Sequence, residues 1–188
     1  VAWTQFHGPV TEMTLLQADT GRQLARGEGF STLVNYPQVA AFLQARGVRF
    51  QPSQAYPELY QAPLYPLVIA GALRVLPAAK RAALFEHPPK GAEDGFAADY
   101  FLLALNLVLL WLAAALTFDL GRKIFEPRVG WLAAFALLLS VSIWQQTVAV
   151  NGTPLLMVLA LGAFWIWHRI EETTTTADET GGSAPLGW

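Results

Sequence analysis

The sequence predicts an all-α, polytopic membrane protein, and three observations support this fold class. Of the 188 residues, 54% are hydrophobic and only 14% are charged, whereas a soluble domain carries about 25% charged residues. Apolar runs of membrane-spanning length fill much of the second half of the chain. A polar stretch with one well-placed acid, from Asp19 to Phe30, precedes them.

The composition also excludes several classes of function. The net charge of -2 gives no sign of a nucleic-acid partner. The absence of cysteine excludes disulfides and thiolate metal sites. The three histidines, His7, His87 and His168, lie far apart in the sequence and match no metal-binding spacing. The sequence therefore assigns no metal ligand.

Three apolar runs are the predicted transmembrane helices, at residues 97–118, 129–150 and 153–168, within a membrane region of 97–170. Twenty-two residues of helix, as in the first run, measure roughly 33 Å, which is enough to cross a hydrocarbon core of about 30 Å. Pro154 suits the first turn of the third helix, where its missing N–H costs nothing.

The charges of the short loops predict the orientation. Residues 119–128 hold three cations in ten residues, which favours the cytoplasmic side. Residues 1–96 would then form an extracytoplasmic loop, and 171–188 a flexible cytoplasmic loop that leads to a truncated next helix. The protein is thus expected to be integral to a bacterial inner or plasma membrane.

The outer segment carries its own helical patterns. Residues 11–26 predict a helix with Met13 and Leu16 among its apolar positions, ended by Gly27, and residues 37–46 predict a second short helix. The apolar run 62–76 is too short for a comfortable span. A run of this length is more often interfacial or re-entrant, so we expect it to lie along the outer surface.

Asp19 is the candidate catalytic residue of this segment, since a carboxylate at a membrane surface can take a proton from an acceptor hydroxyl. Arg22, three residues later, is placed to pair with Asp19 or to meet a phosphate. Glu12 precedes Asp19 by seven residues and can share its helical face. The alternatives are a helix cap or a solvated acid for Asp19, and an ordinary exposed acid for Glu12.

Three further polar residues are candidates for substrate binding. Tyr60 and Tyr65 can line a groove for a lipid chain or an acceptor, and an equally good interpretation is that they are interfacial tyrosines. Gln146, near the outer end of the second span, can face a polar cavity or meet headgroups. Asn106, near the middle of the first span, is expected to make an interhelical hydrogen bond.

Four segments in order resemble the GT-C superfamily of membrane glycosyltransferases, and most closely its protein O-mannosyltransferase and aminoarabinose-transferase-like branch. They are Asp19 to Phe30, Ala62 to Leu67, Gly121 to Gly130 and Gln146 to Leu156. On this resemblance the chain would be a fragment that lacks the first transmembrane helix and the C-terminal part of the family's fold.

The resemblance implies an enzyme that transfers a sugar from a polyprenyl-phosphate donor to an extracytoplasmic acceptor. Asp19 matches the family's acid in the first outer loop. Relatives often carry a second outer acid where this chain has Asn151 to Pro154, and an arginine where it has Ala97 to Asp99. The resemblance leaves open whether a divalent metal is a cofactor, because the second acid that could help to bind it is absent. The expected partners are the lipid-linked sugar and membrane lipid.

The alternative function belongs to another class. The chain can be part of a transporter or of a non-catalytic membrane subunit that keeps the same architecture, and the missing second acid favours this interpretation. A transporter should show inverted repeats with broken helices in the full-length sequence.

Overall fold

The computed structural model describes residues 11–34, 41, 44–47, 55–58, 61–86 and 96–181, with the backbone alone described for 175–181. Its helices are α1 (Glu12–Arg26), α2 (Leu64–Val75), α3 (Ala78–Ala83), α4 (Ala97–Ile124), α5 (Pro127–Leu139), α6 (Val141–Val148) and α7 (Thr153–Gly181), and its strands are β1 (Ser31–Thr32) and β2 (Tyr56–Pro57). The described residues are thus mostly helical, which confirms the all-α class.

Helix α1 begins and ends where the sequence predicts. The Thr11 hydroxyl accepts from the N–H of Thr14, whose own side chain accepts from the N–H of Thr11, so each caps the other. Gly27 ends the helix with φ 86, a left-handed conformation that glycine adopts without a steric penalty. The predicted apolar face is only half right, because Leu16 is buried whereas Met13 is 55% exposed.

Helix α2 packs closely against α1 at a glycine. A Cβ added to Gly21 would lie 2.7 Å from Cγ2 of Ile69, so only glycine allows the two helices to approach this closely. Leu16, Ile69 and Leu73 are almost fully buried. In addition, Nη2 of Arg74 donates to the carbonyl of Leu24 at 2.9 Å, which also accepts from the N–H of Gly27, so α2 is joined to the last turn of α1.

A two-stranded antiparallel sheet follows α1. Ser31 pairs with Pro57, and Thr32 pairs with Tyr56. Both β1 residues are buried, so the sheet holds the chain after Gly29 in a fixed position. The predicted helix over 37–46 lies mostly outside the described residues.

Two of the described helices are long and apolar enough to cross a membrane, Ala97–Ile124 and Thr153–Thr174 of α7, or three if α5 and α6 together count as one broken span. The described residues therefore contain two or three helices with the length and hydropathy to span a membrane, where the sequence predicts three. Helix α4 runs past the predicted end at residue 118, because Asp119 pairs with Arg122 and Lys123 one turn later and supports a further turn.

The second predicted span, 129–150, is not one straight helix. It breaks at Ser140, with a bend of 55° between α5 and α6. Ser140 has the extended backbone of a C-cap, with φ -69 and ψ 112. The indole N–H of Trp144 donates to the carbonyl of Leu138, which is one of the groups left free at the end of α5. A side-chain donor of this kind is a recognised cause of helix breaks.

Helix α7 also differs from its prediction. The tract from residue 171 was predicted to be flexible, whereas the helix continues to Gly181. Side chains one turn apart support the extension, since His168 and Arg169 approach Glu172 and the indole of Trp167 donates to Glu171. The hydroxyls of Thr173 and Thr174 donate to backbone carbonyls of the preceding turn, so these polar residues are accommodated within the helix.

The described residues form two compact units. The first comprises Val1–Leu107 and Gln145–Gly152, and the second comprises Val108–Trp144 and Thr153–Trp188. In the second unit, a Cβ on Gly121 would lie 2.6 Å from Cα of Gly130, so α4 and α5 are in backbone contact at these two glycines. Small residues that let helix backbones approach closely are typical of packing in membranes.

The second unit also contains an aromatic and charged cluster. Oδ2 of Asp119 accepts from the indole N–H of Trp165 at 2.8 Å, and Lys123 lies 5.0 Å from the centre of the same ring. Arg169, one turn after Trp165 on α7, lies 5.1 Å from the centre of the same ring. These contacts tie the end of α4 to the middle of α7 with charges that compensate each other.

Candidate functional site

The first unit contains a cavity of about 110 Å³ beside Asp19. Its wall is mostly apolar and comes from α1, α2, the segment after α3, and the start of α4. Three charged side chains reach it. The lining residues are Leu15, Ala18, Asp19, Arg22, Ile69, Leu73, Phe85, Phe96, Ala98, Asp99, Phe101 and Leu102.

Asp19 is held firmly through one carboxylate oxygen. Its Oδ2 accepts from the hydroxyl of Thr32 at 2.9 Å and from the N–H of Leu33 at 2.6 Å. Hydrogen bonds to a carboxylate are charge-assisted and stronger than neutral ones, so α1 is tied to the end of β1. Within the described residues no hydrogen bond reaches Oδ1, which leaves that oxygen for a ligand in the cavity.

Arg22 lies in the same cavity one turn further along α1. Its guanidinium carbon stands 4.3 Å from the centre of the Phe85 ring, an arrangement typical of a cation–π contact. Its Nε is buried and has no hydrogen-bond partner among the described residues. Burial, followed by the charge of Arg26, lowers the pKa of the Arg22 guanidinium, while Asp19 acts in the opposite direction. The side chain remains cationic and has a donor to offer.

Asp99, in the first turn of α4, is the third charged residue of the cavity. Its side chain is half-buried, and its carboxylate makes no hydrogen bond or ion pair with the described residues. The resemblance to the GT-C superfamily assigns no role to Asp99, since it predicts an arginine in this part of the sequence. The cavity thus contains a second acid, at a different point of the chain from Asn151 to Pro154.

Tyr65 does not line a groove, which corrects the sequence prediction. It is 4% exposed, and its hydroxyl donates to Oδ1 of Asn106 at 2.8 Å. Nδ2 of Asn106 in turn donates to the carbonyls of Thr147 and Asn151. Burial of the ring and pairing of the hydroxyl give Tyr65 a structural role. The expected interhelical hydrogen bond of Asn106 is confirmed.

The turn after α6 is part of this buried network. Val150 has φ 58, and the N–H groups of Val150 and Asn151 both donate at 3.1 Å, to the carbonyls of Thr147 and Gln146 respectively. This is the Schellman pattern, in which the left-handed residue is usually glycine. Val150 is fully buried, and its carbonyl accepts from the hydroxyl of Tyr65 at 3.3 Å, so tertiary contacts hold the strained residue in place.

The other predicted binding residues do not join the cavity. The side-chain oxygen of Gln146 accepts from Nδ2 of Asn151 at 2.7 Å, which gives it a local partner at the end of α6. Glu12 is exposed in the first turn of α1 and is not part of the cavity wall. Tyr60 lies outside the described residues.

The titratable groups of the cavity are too few for a metal site built from protein side chains alone. In the described part of the chain, no group of three or more His, Cys, Asp or Glu residues converges. The cavity offers the carboxylates of Asp19 and Asp99 as oxygen ligands. A divalent cation bound there would need further ligands from its substrate, as Mg²⁺ commonly takes from phosphates.

Sequence reasoning missed Asp99 and Phe85 as parts of the site. Eighty residues separate Asp19 from Asp99, and no spacing rule connects positions that far apart. The one available signal was an acid at the edge of an otherwise apolar span, which is costly in a membrane and often functional. No protein-family model matches the chain, and no curated protein and no solved structure shows significant similarity to it.

Proposed function

We propose that the protein is a membrane glycosyltransferase of the GT-C type, which transfers a sugar from a polyprenyl-phosphate donor to an extracytoplasmic acceptor. One observation carries the proposal: Asp19, Arg22 and Asp99 meet in a small cavity whose remaining wall is apolar. Such a convergence of charged groups in an apolar pocket is the usual form of an active site. Helix α4, whose first turns line the cavity, is long and apolar enough to cross a membrane, which suits a donor with a lipid tail.

The chemistry follows from the three charged groups. Oδ1 of Asp19 takes the proton of the acceptor hydroxyl, and the acceptor oxygen attacks the anomeric carbon of the sugar. The bond from that carbon to the phosphate oxygen breaks, and its electron pair leaves with the polyprenyl phosphate. Arg22 supplies a cation and the Nε donor for the phosphate, since guanidinium groups bind phosphate well. The displacement inverts the anomeric centre.

The test compares two substitutions at Asp19 in the full chain, supplied in membranes with radiolabelled undecaprenyl-phosphate monosaccharides. Asp19→Asn keeps a side-chain oxygen that accepts from Thr32 and Leu33, but it removes the base. We expect transfer to fall by about two to four orders of magnitude, the contribution of general acid–base catalysis. Asp19→Ala removes the base and the anchor together, and should lose activity to at least the same extent.

The control is Glu86→Gln, which makes the same kind of change at an exposed acid outside the cavity wall. Its activity should equal that of the wild type. Equal activity in wild type and Asp19→Asn, at equal protein levels, would remove Asp19 from the mechanism. An absence of transfer by the wild type from every donor would count against an enzyme of this class.

A second candidate function is a transporter or a non-catalytic subunit, and the broken pair α5 and α6 favours it. Helices interrupted within the membrane are typical of transporters, where the freed backbone groups coordinate substrates. In that case Asp19 acts only as the anchor of β1 through Thr32 and Leu33. Uptake of radiolabelled solutes into vesicles, without glycosyl transfer, would be the expected result.

A further inference from the structure

The carboxylate of Asp99 lacks donors in the described structure. It lines a mostly apolar cavity, is half-buried, and has neither a hydrogen bond nor an ion pair from the described residues. A half-buried carboxylate loses part of its hydration, and a ligand that donates hydrogen bonds can replace the lost water. Resting on the proposed function, we infer that a pair of ring hydroxyls of the transferred sugar supplies the missing donors, so that Asp99 is a specificity-determining residue for the sugar.

The chemistry of an ionised carboxylate narrows the ligand class. Such a group only accepts hydrogen bonds, at two oxygens, and neighbouring hydroxyls of a sugar ring present two donors at a matching separation. The phosphate of the donor has no hydrogen to offer when ionised and is repelled by the charge of Asp99. The lipid tail has no polar group. Of the three parts of a polyprenyl-phosphate sugar, the sugar alone suits Asp99.

The rest of the cavity wall suits a single sugar ring. Phe96 and Phe101 line it together with Asp99, and aromatic rings can pack against the C–H face of a pyranose as they do against other apolar surfaces. The face of Phe85 next to Arg22 is already occupied by the guanidinium. The volume of about 110 Å³ is well below the roughly 300 to 1,000 Å³ of pockets that enclose a drug-sized ligand, so the lipid chain of the donor must lie outside the cavity.

The three charged residues then have separate tasks. Asp19 is fixed by Thr32 and Leu33 and is oriented towards one reacting atom. Arg22 offers a buried N–H that suits the anionic phosphate. Asp99 has no fixed partner among the residues that the structure describes and no step of the reaction assigned to it, and it is left for the sugar.

The experiment follows the logic of a double-mutant cycle: it combines a substitution of Asp99 with the removal of single hydroxyls from the donor sugar. Wild type and Asp99→Leu, as full chains in membranes, are given the undecaprenyl-phosphate monosaccharide that the wild type uses and its analogues lacking one ring hydroxyl each. The wild type should lose about tenfold to a hundredfold in kcat/KM on one or two analogues, the size expected for a hydrogen bond to a charged group. Asp99→Leu should lose a similar factor on the parent donor and lose no more than about threefold further on those analogues, because coupled groups are not additive.

Asp99→Asn keeps one acceptor oxygen and should fall between the two, while Glu86→Gln should behave as the wild type. Equal deoxygenation losses in wild type and Asp99→Leu would overturn the assignment of Asp99 and leave the proposed function standing. Equilibrium binding of the same donors to the same variants in lipid nanodiscs gives a second measurement. If the wild type neither transfers nor binds any of the sugars, both the proposed function and the role of Asp99 are wrong.

Discussion

The hydroxyl of Tyr65 donates to the side-chain oxygen of Asn106 at 2.8 Å across 41 residues of sequence. Both residues are buried, and Asn106 is fully so. The amide nitrogen of Asn106 is also used, since it donates to the carbonyls of Thr147 and Asn151. One side chain in α4 therefore joins α2 to the end of α6 through hydrogen bonds that are mostly buried.

Asn106→Leu should destabilise the protein by about 1–3 kcal/mol, because it leaves the Tyr65 hydroxyl and two carbonyls with fewer partners in a buried site. Tyr65→Phe removes one hydroxyl and should cost about 0.5–1.5 kcal/mol. The double variant should cost less than the sum of the two. Reversible unfolding in mixed detergent micelles measures all three, and strictly additive costs would show that the two side chains do not interact.

Gly121→Ala should destabilise the contact between α4 and α5 by about 1–3 kcal/mol, the usual cost of overpacking. The added Cβ would meet the backbone of Gly130 at 2.6 Å, and backbone atoms cannot rotate away. Gly162→Ala is the matched control, since nothing lies within 4 Å of its added Cβ. That variant should be neutral or stabilising by up to about 1 kcal/mol, from helix propensity. Thermal unfolding of both variants in one detergent measures the two changes in stability, and equal changes would contradict the prediction.

Thr32→Val should reduce glycosyl transfer by about tenfold or more, if Asp19 acts as proposed. Valine has nearly the shape of threonine but lacks the hydroxyl that donates to Oδ2 of Asp19 at 2.9 Å. A hydrogen bond to a charged group contributes about 1.5–3 kcal/mol, and its loss frees the carboxylate to turn. Thr32→Ser retains the donor and should keep most of the activity. A comparable loss in both variants would point to packing, not to the hydroxyl, as the cause.

Arg22→Lys should lower transfer by about tenfold to a hundredfold, although the charge is conserved. Lysine cannot present the planar fork of donors, and it packs less well on the face of Phe85 than a guanidinium does. Arg26→Lys is the control, because Arg26 is exposed in the last turn of the same helix. Initial rates at several donor concentrations measure both variants, and a wild-type rate in Arg22→Lys would show that charge alone suffices.

Local signals in the sequence predicted local structure well. Gly27 ends α1 as expected, because glycine adopts the left-handed conformation of a helix end without needing tertiary contacts to hold it. Hydropathy predicted apolar helices of spanning length but not their ends, because charged residues one turn apart extend α4 and α7 beyond the apolar runs. Neither proline nor glycine lies at the break at Ser140, so no local sequence signal predicts it. It depends on a donor from Trp144.

The candidate site was only partly predictable, because local sequence signals do not show which residues distant in sequence come together. Asp19 and Arg22 lie one turn apart on one helix, so the sequence places them together. Asp99 reaches the same cavity from the start of α4, and its position depends on how helices distant in sequence pack in the first unit. Tyr65 carries no sign in its sequence context that its hydroxyl is buried against Asn106.

The left-handed Val150 has a consequence for the order in which the protein assembles. A β-branched residue at φ 58 resists this backbone conformation, so the turn between α6 and α7 has little tendency to form by itself. The contacts that hold it come from Tyr65 and the core of the first unit. During biosynthesis, residues 149–152 should therefore remain conformationally open until they pack against α2 and α4, which makes this turn a late step of folding.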